Sequence, residues 1–230
     1  MFHNLLSFWK GKDFLKEVLN DFERMLNGTE DMFKKVCRKL LEGKSEEGLK
    51  DRIYKIDREV NRLEKGIRKR IVEHLSIQGS VDLPASLVLM SVVKDAERLG
   101  DYAKNIFEIT ELLEKPLDKN IFEDLFGDLD KKIINEFSQA RAAFIESDEK
   151  IARDILIIER EIVKSCDEIL SKLAKSNFPT NTAVCLTLLA RYFKRTAAHL
   201  TNIASSVILP ISDLDFFDER LRRKNENKKN

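Results

Sequence analysis

The sequence predicts an all-α protein built from two tandem three-helix bundle repeats, and three observations support this. Glycine and proline number only 8 and 4 in 230 residues, so few turns can interrupt the chain. Charged residues make up 35% and hydrophobic residues 43%, which is typical of long amphipathic helices with one charged face. Apolar residues recur at helical spacing almost throughout, and the helical segments fall into two similar sets of three.

The first set is predicted to comprise helices over residues 13–41, 46–76 and 82–114. Asn27-Gly28 is expected to kink or break the first helix, since glycine is a poor helix former. Asp82 is a suitable N-cap for the third helix, with Pro84 in its first turn. Lys115-Pro116 then ends that helix.

The second set is predicted over residues 119–146, 148–175 and 180–209, followed by a short helix over 213–223. Thr180 or Asn181 can cap the last long helix, and Pro210 ends it. We therefore expect a first repeat with an N-terminal extension over 1–116, a second repeat over 117–210 and a helix with a basic tail over 211–230.

The two halves share residues at corresponding positions. A shift of 97 residues superimposes Arg98 on Arg195 and Asn105 on Asn202, and a shift of 102 superimposes Arg58-Glu59 on Arg160-Glu161. The different shifts agree with the turn positions, so the sequence indicates a weak internal duplication.

Composition excludes several classes of protein. A net charge of +1 gives no reason to expect nucleic acid as a partner. Three widely spaced cysteines without a CxxC pair imply neither a disulfide framework nor a zinc finger. We expect a cytoplasmic protein without a signal peptide or membrane span. An apolar stripe at Phe2, Leu5, Leu6 and Trp9 packs on the bundle or, alternatively, lies on a membrane surface.

One face of the third predicted helix carries oxygen side chains four residues apart, at Glu97, Asp101 and Asn105. The second helix offers Asp57 and Asn61 at the same spacing. Converging carboxylates and amides would suit a hard cation such as magnesium, manganese or iron, so we predict a metal site at these five residues. The ordinary alternative is a solvated helix face.

Two observations favour a functional face over a solvated one. Gly100 lies in mid-helix, where glycine costs about 1 kcal/mol relative to alanine, and it indicates close approach by another group. Arg98 and Asn105 also recur in the second half, which a merely wet face would not require.

Three segments resemble the PhoU family of phosphate-transport regulators. AERLGDYAKNIFE at 96–108 is similar to the family's signature, RIYKIDREVNRLEKGI at 52–67 to its second helix, and NTAVCLTLLARYFKRTAAHLTNIA at 181–204 to the second copy of its third helix. The resemblance implies metal clusters at acidic ExxxD motifs, here Glu97 and Asp101 with Asp57, Asn61 and Asn105. Iron, zinc, manganese and magnesium are all candidates. It also implies a phosphate transporter component or a sensor kinase as partner, peripheral association with the membrane's inner face, and a homodimer as a further option.

The second copy departs from the family's pattern. Lys194 stands where the motif has glutamate and Ala198 where it has aspartate. Val163 replaces the acidic residue of the second helix, and only Glu159 and Glu161 remain. We therefore expect the second metal site to be lost, with the Lys194 ammonium supplying the positive charge in its place.

Three functions remain open at this point. The leading one is a non-enzymatic regulator of phosphate transport that acts by contact with a transporter or kinase. The second is a helical scaffold of the same fold without metal or signalling. The third is a metal-dependent phosphate enzyme, for which the sequence offers no general base. A ferritin-like di-iron centre is not expected, because neither His74 nor His199 follows a glutamate by three residues.

Overall fold

The computed structural model describes residues 13–43, 46–78 and 82–214, and these ranges consist of helices joined by short connections. The helices are α1 (Asp13–Glu42), α2 (Leu49–Gln78), α3 (Leu83–Leu112), α4 (Lys119–Phe126), α5 (Leu129–Glu146), α6 (Glu149–Leu173) and α7 (Thr180–Ser205), followed by a 3₁₀ turn at Ile211–Asp213. The described part of the chain contains no strand, which confirms the predicted all-α class.

Two three-helix bundles form this architecture. Helices α1, α2 and α3 pack together, and α5, α6 and α7 do the same. The bundles meet along α3 with α7 and along α1 with α5. Among the described helices, none is long and apolar enough to cross a membrane.

The hydrophobic core continues from one bundle into the other. The ring of Phe22 in α1 lies 4.8 Å from that of Phe144 in α5. Phe33, also in α1, packs between Phe137 and Phe193 of the second bundle, at 5.5 and 5.6 Å. Large aromatic rings that are fully buried at this interface make it a packed core instead of a loose contact between domains.

Two glycines behave differently from the sequence-based prediction. Gly28 does not break α1; a Cβ at this position would lie 3.2 Å from Ile56 Cγ2, so glycine allows α1 and α2 to approach closely. Gly127 does end a helix, because it adopts a positive φ of 57° at the C-cap of α4. The single helix predicted over 119–146 was therefore wrong, and α4 and α5 are separate.

Helix ends also differ from the predicted caps. Asp82 occupies the N-cap position of α3, but its side chain caps no amide; its carboxylate lies 2.8 Å from His74 Nε2. Neither Thr180 nor Asn181 is the N-cap of α7, which is Pro179. Asn181 instead binds the end of α3, accepting from the Glu114 amide and donating to the Leu112 carbonyl at 3.1 and 2.9 Å.

Helix α7 ends at Ser205, four residues before the predicted end at 209. The apolar stripe at Phe2, Leu5, Leu6 and Trp9 and most of the helix predicted over 213–223 lie outside the described residues. All three cysteines are free and buried, as expected, and burial raises the pKa of Cys166 to about 12.

Candidate functional site

The predicted acidic residues meet at the junction of α2 and α3. Asp57 of α2 is buried to 9% exposure, and it faces Asp101 of α3 across the Lys104 side chain. Lys104 Nζ donates to Asp57 Oδ1 at 3.1 Å and to Asp101 Oδ1 at 3.2 Å. The two carboxylates are therefore brought together as predicted, but around an ammonium group that the sequence reasoning overlooked.

A second cation, Arg98, pairs with Asp101 and with Glu97. Arg98 Nη1 donates to Asp101 Oδ2 at 2.8 Å, and Arg98 Nε lies 3.8 Å from Glu97 Oε2. Burial, followed by the charge of Asp101, raises the pKa of the Glu97 carboxyl. Glu97 is thus the least well neutralised member of the group.

Glu64 is a further member that the sequence reasoning missed. Its charge contributes to the raised pKa of Glu97, and its carboxylate pairs with Arg68 at 2.8 Å. Glu64 follows Asp57 by seven residues, which places both on one face of α2; this spacing could have revealed it. We call Asp57, Glu64, Glu97 and Asp101 the acidic seam.

Cations of the protein itself bind the oxygen atoms of the acidic seam. Across the described residues, no group of three or more His, Cys, Asp or Glu side chains could hold a metal ion. Asn61 and Asn105 are partly buried. Because Lys104 and Arg98 already bind the seam's oxygen atoms, a metal would have to displace an ammonium group. Metal binding at Asp57, Asn61, Glu97, Asp101 and Asn105 stays a prediction.

The second bundle carries a lysine at the corresponding junction. Lys194 Nζ of α7 lies 2.7 and 2.8 Å from the two carboxylate oxygens of Asp167 in α6. The partner of this lysine, Asp167, was not foreseen, and the loss of a metal site in the second repeat stays a prediction.

A buried acidic pair lies deeper in the second bundle. Glu136 of α5 has no exposed surface and Glu159 of α6 is 6% exposed. Thr201 of α7 donates to Glu136 Oε1 at 3.1 Å, whereas Glu136 Oε2 has no hydrogen-bond partner. Burial raises the pKa of Glu136 well above its ordinary value, and the charge of Glu159 raises it further. Glu161, by contrast, is exposed on α6.

The recurrence of Arg98 and Asn105 in the second half has a structural explanation. Arg195 and Asn202 lie on the face of α7 that packs against α3, where Asn202 donates to Asp95 at 3.0 Å and Arg195 donates to Tyr102 at 3.2 Å. Arg98 and Arg195 therefore both lie at the junction of the two bundles. The recurrence does not by itself support a metal at the acidic seam.

Comparisons with known proteins match this architecture. Residues 22–110 and 127–207 each match the PhoU domain. A phosphate-specific transport system accessory protein PhoU homolog of Synechocystis sp. is 26% identical over 206 residues, which cover 84% of this chain and 87% of that protein. A PhoU homolog 1 of Thermotoga maritima is 30% identical over 115 residues, covering 50% of this chain and 46% of its own.

Solved structures show the same fold. The crystal structure of PhoU from Pseudomonas aeruginosa matches with a TM-score of 0.74 at 20% identity, over 85% of this chain and 95% of that one. The phosphate transport system regulatory protein PhoU from Streptococcus pneumoniae matches with a TM-score of 0.74 at 17% identity, over 84% and 93% of the two chains. Because the domain matches cover most of both bundles, the chain belongs to the PhoU family.

Proposed function

We propose that the chain regulates inorganic phosphate transport by binding a transporter component or its sensor kinase at the inner face of the membrane. The observation that carries the proposal is the paired match of both bundles to the PhoU domain. It is supported by the likeness, over 84% of this chain, to a protein named as an accessory of a phosphate-specific transport system. The proposed role is regulatory and exerted by contact, without catalysis.

Exposed apolar side chains offer a surface for such contact. Val72 and Ile77 in the last turns of α2, and Leu83 and Leu87 in the first turns of α3, are between 40% and 80% exposed. All four flank the connection between α2 and α3, so they lie at one end of the first bundle. Exposed apolar groups gathered at one end of a bundle are suited to protein contact.

Co-purification tests this proposal directly. The tagged chain would be recovered from membranes of cells that carry its own phosphate transporter, grown with abundant and with scarce phosphate. We expect a transporter component or kinase to co-purify, and the Ile77→Asp/Leu87→Asp variant to lose it. Ile157→Asp is the matched control, since Ile157 is 58% exposed on α6 in the other bundle. Recovery of neither partner under both conditions would overturn the proposal.

A helical interaction module that needs no metal is the second candidate. It is favoured by two ammonium groups: Lys104 binds Asp57 and Asp101 in the first bundle, and Lys194 binds Asp167 in the second. The two candidates differ in whether metal bound at the acidic seam is needed to hold the partner. If metal is required, the Glu97→Ala/Asp101→Ala variant will lose both bound metal and the partner; if it is not, the variant will keep the partner without any bound metal.

A further inference from the structure

A groove of about 570 Å³ lies between α3 and α7, where the two bundles meet. Lys94 and Arg98 line it from α3 and Arg195 from α7, and all three side chains are exposed. Asp95 is the one carboxylate among the residues that line it. Counted without His199, these three cations and one carboxylate give the groove a formal charge of +2.

Hydrogen bonds within the groove occupy its carboxylate and orient one of its cations. Asp95 is 6% exposed, and its Oδ1 lies 2.7 Å from His199 Nδ1 and accepts from Asn202 at 3.0 Å. Arg195 Nη2 lies 3.4 Å from His199 Nε2. Asp95 and Arg195 therefore contact opposite nitrogens of the His199 ring.

Tyr102 holds the same arginine from the opposite helix. Its ring stacks on His199 with centroids 5.5 Å apart, and its hydroxyl accepts from Arg195 Nε at 3.2 Å. Arg195 is therefore held by both α3 and α7, and no carboxylate among the described residues pairs with it. Lys94 likewise forms no ion pair within the part of the chain that the structure describes.

These features suit an anion with several oxygen atoms. A guanidinium presents a planar fork of donors that matches phosphate and carboxylate, and a lysine adds a mobile point charge. Charges that are held in place before binding lose little freedom when the ligand arrives. We infer that the groove binds a phosphoryl oxyanion, either inorganic phosphate or the phosphate of a small organic monoester, through Lys94, Arg98 and Arg195.

Arg98 connects this groove with the acidic seam. The same guanidinium that lines the groove also donates to Asp101 at 2.8 Å. An oxyanion in the groove would compete with Asp101 for that group, so occupancy of the groove would alter the charge balance between α2 and α3. The inference goes beyond the proposed function, which does not require any small ligand.

Calorimetric titration of the purified full chain tests the inference. The probes are inorganic phosphate and a nucleoside monophosphate, with the unphosphorylated nucleoside and sodium chloride of equal ionic strength as controls. We expect saturable binding of at least one phosphorylated probe and none of the nucleoside. Binding of phosphate alone identifies the free ion as the ligand, and binding of the monophosphate alone identifies an organic ester.

Substitutions locate the binding in the groove. The Lys94→Gln/Arg195→Gln variant should bind at least tenfold more weakly, because two of the three cations are lost. Arg191→Gln, which alters an exposed arginine one turn away on α7, should bind as the wild type does. The single variant Lys94→Gln, at an exposed position, keeps the test valid if the double variant fails to fold. Absence of saturable binding, or equal affinity in wild type, Lys94→Gln and any folded double variant, would overturn the inference. Neither result bears on partner recovery from membranes.

Discussion

Replacing Lys104 by methionine would remove the cation that joins α2 to α3, while keeping a side chain of similar length. The side chain of Lys104 is 22% exposed, that of Asp57 12% and that of Asp101 26%, so the cluster lies between a surface ion pair and a buried one. Surface pairs contribute about 0–1 kcal/mol, and removing one partner of a buried pair costs about 3–5 kcal/mol. In the variant, Asp101 keeps its hydrogen bond from Arg98, so most of the lost stability comes from Asp57, which loses the hydrogen bond from Lys104. We expect a loss of about 2 kcal/mol in the free energy of unfolding, between these limits.

Urea denaturation followed by circular dichroism measures this loss. With an m-value of about 2–3 kcal/mol/M, the midpoint should fall by about 0.7–1 M without a change in slope. Lys65→Met, at an exposed position of α2, is the control and should shift the midpoint little. A loss below about 0.5 kcal/mol, the range of ordinary surface substitutions, would refute the argument that Lys104 stabilises the junction.

The pH dependence of the same difference gives an independent check. Burial disfavours the Lys104 ammonium, but its hydrogen bonds to Asp57 and Asp101 outweigh this and raise its pKa. Because the folded-state pKa of Lys104 is raised, its stabilising effect is fully present at any pH below the pKa of a lysine in the unfolded chain, about 10.4. The difference between wild type and Lys104→Met should therefore be constant from pH 7 to 9 and shrink as the pH rises through the folded-state pKa.

Manganese distinguishes a resident lysine from a metal site. If the ammonium occupies the position a metal would need, Mn²⁺ should stabilise the Lys104→Met variant and leave the wild type unchanged. Weaker but measurable stabilisation of the wild type would show that metal displaces the ammonium, and would support the predicted site at Asp57, Asn61, Glu97, Asp101 and Asn105. Equal stabilisation of both proteins would show that Mn²⁺ binds away from Lys104, and would contradict this reasoning.

Further predictions concern buried groups. Because burial raises the pKa of Glu136, the folded state keeps a proton that the unfolded chain releases above about pH 4.3. The wild type should therefore lose stability relative to Glu136→Gln as pH rises from 5 to 8 in thermal melts, and parallel curves would contradict this. Gly100→Ala should raise the free energy of unfolding by up to about 1 kcal/mol, because the added Cβ would make only ordinary van der Waals contacts. Gly28→Ala should raise it less, because the added Cβ would crowd Ile56. Equal gains in urea denaturation would count against that reasoning. Arg141→Ala should cost about 1–3 kcal/mol, because Arg141 joins α5 to the buried Glu30 of α1; a loss below about 0.5 kcal/mol would contradict this.

The helices could be predicted from the sequence because periodic apolar residues report directly on burial. The errors occurred where tertiary packing or a local backbone conformation decided the outcome. Gly28 has a poor helix propensity, yet the close approach of Ile56 keeps α1 continuous across it. The helical spacing of apolar residues continues through Gly127, so it did not indicate that the positive φ of this glycine ends α4.

The candidate site was predicted in part for a similar reason. The spacing of oxygen side chains along each of two helices identified Asp57 and Asp101 as groups that could converge, and the structure brings them together. Spacing does not show which cation lies between two helices, so Lys104 was missed although it follows Asp101 by three residues. The contact of Asp95 with His199 joins residues 104 positions apart, for which no local pattern exists.

The rate of phosphate uptake tests the central claim most directly. Cells that lack this chain would be compared with cells in which it is restored, using radiolabelled inorganic phosphate at abundant and at scarce supply. A regulator of phosphate transport should change the uptake rate, or its response to phosphate supply, when the chain is removed, and re-expression should restore both. Identical uptake with and without the chain under both conditions would contradict the account.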